Sequence, residues 1–109
     1  MAKTLKFSYK GVDYTLEFTR ESVRVMENMG FVADDLFTRP MTLLPSLFAG
    51  AFYAHHRGMK RKDIDEIFNA MTNRSELITK LVEMYREPIA TLTEEPEEGE
   101  GNVSWTASF

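Results

Sequence analysis

The chain has 109 residues, 43% hydrophobic and 28% charged, enough for one small domain around one core and unlike a wholly disordered chain. Cysteine is absent, which excludes disulfides, thiolate nucleophiles and Cys-based metal sites. The net charge of −4 is local: five of the 17 acids fall in residues 94–100, so the other 12 face 13 bases in a nearly neutral body, an argument against general nucleic-acid binding.

In chain order, residues 3–18 alternate. Leu5, Phe7 and Tyr9 share one face of a first strand, and Val12, Tyr14, Leu16 and Phe18 share one face of a second. Lys10-Gly11 makes the short turn, with Gly11 supplying a positive φ. The predicted register sets Tyr9 opposite Val12, Phe7 opposite Tyr14 and Leu5 opposite Leu16, which puts every apolar pair on one side. Two strands alone are marginal, so the hairpin must lie on helices, a third strand or a partner.

Thr19 is a predicted N-cap for a helix over residues 20–29, with Val23, Met26 and Met29 or Gly30 as its buried stripe and Gly30 as its stop. Residues 31–39 read as a connection with one turn near Asp34. Thr42 is the next predicted cap. It opens a helix over residues 43–56 in which Pro45 is tolerated because it falls in the first turn. LLPSLFAGAFYA is apolar nearly all round, which makes this the central helix. A third helix is predicted over residues 61–71, with Ile64, Ile67, Phe68 and Met71 inward. Asn73 and Glu76 have capping-box spacing for a fourth, whose stripe is Leu77, Ile78, Leu81, Val82, Tyr85, Ile89 and Leu92 and which should stop or bend near Pro88. The expected fold is α+β, mostly α: an N-terminal β-hairpin, a bundle of about four helices, an acidic linker and a strand-like C-terminal tail. The domain division is 1–93 for the globular part and 94–109 for linker and tail.

The polar residues offer little chemistry. His55 and His56 are adjacent on a helix and point about 100° apart, so they are read as structural and not as a shared metal site. Asp34-Asp35 has no companion base and reads as a solvated turn. There is no P-loop, GxSxG or HExxH motif. No catalytic residue, metal or cofactor is expected. Residues 55–62, HHRGMKRK, form a basic cluster suited to a solvated turn, an acidic partner or the chain's own acidic tail. No apolar run is long enough to span a membrane, and MAKTLKFSYKG has no hydrophobic signal core, so a reducing cytoplasm is the expected location.

Seven methionines are many for this length. Met26, Met29, Met71 and Met84 fall on or beside apolar stripes, as does Tyr85, and suit either a core or an adaptable partner groove. In the tail Val103, Trp105, Ala107 and Phe109 alternate with small polar residues, the pattern of a strand with one sticky face. Fully burying Val, Trp and Phe contributes about 6–9 kcal/mol. Fixing the backbone of residues 103–109 costs about 7–14 kcal/mol. The two nearly cancel, so the tail should order only where extra hydrogen bonds are supplied, at a hairpin edge in its own chain or on another protein. Val103, Trp105 and Phe109 are accordingly candidate partner contacts.

The opening FSYKGVDYTLEFTRESVRVMENMGF, the apolar PMTLLPSLFAGAFYAHH, the amphipathic LVEMYREPIATL and the terminal GNVSWTASF together resemble the small tail assembly chaperones of long-tailed bacteriophages and prophages. The resemblance spans essentially the whole chain and rests on layout. It implies a non-catalytic protein, made in the host cytoplasm and absent from the finished virion, which binds the tape measure protein and helps recruit the major tail tube protein. It also implies a longer, frameshifted form of the same chain, and self-association is a further expected contact. Two other readings remain beside it: a structural virion component such as a tail completion or connector protein, and a small nucleic-acid-binding regulatory module acting through residues 57–62.

Overall fold

A computed structural model describes residues 3–94 and 103–109. Strands β1 (Thr4–Tyr9) and β2 (Val12–Glu17) pair antiparallel with Leu5 opposite Leu16, Phe7 opposite Tyr14 and Tyr9 opposite Val12, the register that the apolar alternation predicts. Both turn residues have positive φ, +50° at Lys10 and +79° at Gly11, so a lysine shares the left-handed strain expected of glycine alone.

Helix α1 (Arg20–Asn28) starts at Thr19 as predicted, through a reciprocal box that the sequence reading missed. Thr19 Oγ1 accepts from the Ser22 amide at 3.0 Å, and Ser22 Oγ accepts from the Thr19 amide at 2.8 Å. Serine replaces the usual Glu or Gln at N3 because the site is fully buried and a carboxylate would lose its solvation there. The far end closes on Gly30 at φ +95°. The Phe31 amide reaches the Met26 carbonyl and the Gly30 amide reaches that of Glu27, which is a Schellman motif. Met29, placed provisionally on the buried stripe, is 80% exposed, since the chain turns away after Asn28 and no element covers that side chain.

A short 3-10 turn (Ala33–Asp35) leads to α2 (Pro40–Gly50). This helix begins before the predicted Thr42 cap because Pro40, with φ preset for a helix, occupies its first turn. Pro45 therefore lies inside the helix, and the carbonyl left without its donor belongs to Met41, an exposed residue. The helix also ends earlier than residue 56. The Ala51 carbonyl accepts instead from the Glu17 amide at 3.0 Å, and residues 51–53 tighten into successive i to i−3 turns. Helix α3 (Arg61–Ala70) follows, then α4 (Arg74–Ala90), which runs through Pro88 with that ring buried. The capping box at Asn73 does not form: Asn73 is left-handed at φ +51° and its side-chain amide donates to the Glu76 carboxylate at 3.0 Å. Ile89 and Leu92 are exposed, because nothing packs across the last turn of α4 on their side.

The hairpin lies on the segment after α2. Phe7 and Tyr14 stack at 5.3 Å, and Phe52 packs edge-on to both. Phe52 in turn meets the fully buried Phe48 at 5.1 Å, and Phe48 meets Phe68 at 5.1 Å, so α2 joins the hairpin to α3. Leu47, Ile67 and Leu81 complete the centre. The fold class is as expected, a hairpin followed by four helices, with α2 central. Residues 103–109, expected as a strand, have no regular secondary structure and are exposed throughout. One hairpin edge is partly closed to them: of the outward amides of β2, Glu17 donates to the Ala51 carbonyl and Thr15 to the His56 ring, each at 3.0 Å. The acidic linker over residues 95–102 lies outside the described residues.

Candidate partner-binding groove

The main concavity is an open groove of about 530 Å³ between α1, α2 and the start of α3. Its floor comes from Val25 and Met26 of α1, Leu43 and Ala49 of α2, and Tyr53 and Met59 of the connection that follows. Beneath the floor α1 and α2 approach closely at Gly50, where the Met26 Sδ and Cε atoms fill the space that a Cβ would need. Met29 stands at its lip.

Three arginines rim the groove. The Arg57 guanidinium lies 4.3 Å from the centre of the Tyr53 ring and 3.7 Å from the Glu21 carboxylate. Arg61 donates to Asp65 at 2.9 Å and to Ser46 Oγ at 3.4 Å. Among the described residues Arg39 has no carboxylate partner. Every carboxylate that engages this rim is exposed and in reach of water, so these pairs are weak and exchangeable. An apolar floor under a cationic rim can receive an apolar side chain flanked by acidic residues.

The eight residues expected at a partner surface separate into three groups. Met26 and Met29 line the groove, one as floor and one as lip. Met84 and Tyr85 are buried in the core, Tyr85 held between Phe18 and Phe31 at 5.4 Å from each ring, and Met71 is half-buried just past α3. Val103, Trp105 and Phe109 are exposed, Trp105 at 82%. The sequence reading missed Met59, Tyr53 and Arg39. A signal for Met59 was present: it is the only apolar residue between Gly58 and Ile64 in an otherwise charged stretch.

The paired histidines have separate tasks. His55 Nε2 lies 2.7 Å from Glu17 Oε1, whereas His56 Nε2 accepts from the Thr15 amide, which requires the proton on Nδ1. Their rings are 6.4 Å apart. Among the described residues no group of three or more His, Asp or Glu side chains converges as a metal-ligand set, and no helix is long and apolar enough to cross a membrane. Glu66 is held below the ordinary carboxylate value, chiefly by the Tyr9 hydroxyl donating at 3.1 Å and then by the Lys10 charge, a surface cluster that ties the hairpin turn to α3.

No curated protein and no solved structure matches the chain. One family does match, over residues 1–109, and the chain therefore belongs to the family described as a domain of unknown function, DUF5055.

Proposed function

We propose that the chain is a non-catalytic tail assembly chaperone of a long-tailed bacteriophage or prophage, which binds the tape measure protein and helps recruit tail tube subunits. It acts in the cytoplasm of the bacterial host and leaves before the virion is complete. The observation that carries this reading is the open groove lined by Met26, Met29 and Met59. Unbranched thioether side chains repack around differing apolar partners, which suits a protein that holds successive segments of a long helical client. The layout of the chain, from its hairpin to GNVSWTASF, supports the phage assignment by resemblance.

The test is a pull-down of the full-length chain against folded fragments of a tape measure protein and against tube subunits encoded beside it. Binding is expected, and Met29→Glu, a change at an exposed lip residue, should weaken it at least tenfold. Absence of binding across soluble, folded fragments would sink the proposal. Recovery of the protein in purified particles would move the assignment to a structural virion component.

A further inference from the structure

We infer that the groove of one chain receives the C-terminal segment of a second copy, with Trp105 seated on the methionine-lined floor. Two observations meet here. The exposed tail and the open groove lie on the same chain and are complementary in kind: Val103, Trp105 and Phe109 need apolar cover, and Met26, Met29 and Met59 offer it. They are also complementary in charge, since five glutamates in residues 94–100 precede the tail and Arg39, Arg57 and Arg61 surround the groove.

The choice of a second copy follows from the position of the tail. Residues 103–109 are exposed throughout and none of them lines the groove of its own chain, so the apolar cover they need is supplied by another copy. A tail-to-groove contact is not self-complementary. A pair joined by one such contact keeps one free groove on the donor and one free tail on the acceptor, so association continues until reciprocal exchange or a ring closes it, or a filament grows. The inference does not depend on the identity of any client protein.

Trp105 is the only tryptophan, so its emission reports this contact directly. The full chain is diluted in series while Trp105 emission and sedimentation mass are followed together. A blue shift that grows with concentration, with a mass that at least doubles, is expected. Two full-length variants separate tail from groove: Trp105→Ala with Phe109→Ala keeps the groove, and Arg39→Glu with Arg57→Glu and Arg61→Glu keeps the tail. Neither should self-associate, yet an equimolar mixture should form a heterodimer and shift the emission of the single Trp105 present. Complementation also shows that the variant supplying the groove is folded, and a circular dichroism spectrum matching that of the unaltered chain checks the variant supplying the tail. A blue shift unchanged by dilution would place the tail in its own groove and overturn the inference. So would a chain that stays monomeric with unshifted emission, or self-association that survives loss of Trp105 and Phe109.

Discussion

Tyr85 shows what burial does to a single side chain. It was a candidate for partner contact, but it is enclosed by Phe18 and Phe31, and burial, with the Glu27 charge second, raises its phenol above the ordinary value near 10. A raised folded-state pKa means that the native protein holds this proton more tightly than the unfolded chain does. The resulting contribution is complete below the unfolded value near 10 and is lost as pH rises through the higher folded value. Tyr85→Phe should therefore change stability little at neutral pH and flatten its decline above about pH 10. Urea unfolding midpoints measured from neutral to alkaline pH test this; parallel curves for both proteins would contradict it. Gly11 gives a second single-residue case. A Cβ there would meet nothing within 4 Å, so the cost of Gly11→Ala is purely that of φ +79°. The loss should be about 1–2 kcal/mol, and the same denaturation experiment reads it.

At the scale of elements, the contact between α1 and α2 depends on Gly50. Because Met26 atoms occupy the site of the missing Cβ, Gly50→Ala should overpack the joint and cost about 1–3 kcal/mol. Met26→Ala should cost about 2–5 kcal/mol through the cavity it leaves. The double variant should be more stable than the sum of the two losses predicts, since the new methyl enters the vacated space. Strict additivity in a double-mutant cycle would mean that the two residues do not share that space. The same joint forms the groove floor, so the cycle also reports on the geometry that a partner meets.

For the whole molecule, the seam between hairpin and helical body matters most. Two amides that face outward from β2 reach across it, Glu17 to the Ala51 carbonyl and Thr15 to the His56 ring. This obstructs one sheet edge against unwanted strand pairing and anchors the hairpin to the segment that lines the groove. Hydrogen exchange should show both amides protected. In His56→Ala the Thr15 amide should lose protection at least tenfold while Leu81 in the core keeps its own. Unchanged protection at Thr15 would mean that another acceptor serves it.

Some of this architecture was determined by the sequence alone. Period-2 alternation settled the hairpin and its register, because a slip by one residue would turn Leu5, Phe7, Leu16 and their neighbours outward. Thr19 and Gly30 marked the ends of α1, since capping chemistry acts within one turn. The apolar run of α2 announced a central helix, and the sticky terminal segment was visible in Val103, Trp105 and Phe109. Tertiary structure decided what depends on a neighbour distant in the chain. It ended α2 at Gly50 by drawing the Ala51 carbonyl to β2, and it obstructed that strand's edge with His56. It also sorted residues with the same local pattern: Met84 and Tyr85 went to the core, Met26 and Met29 to the groove, and Ile89 and Leu92 to the surface. A helical stripe specifies which residues share a face, but only the element packed across that face determines which of them are covered.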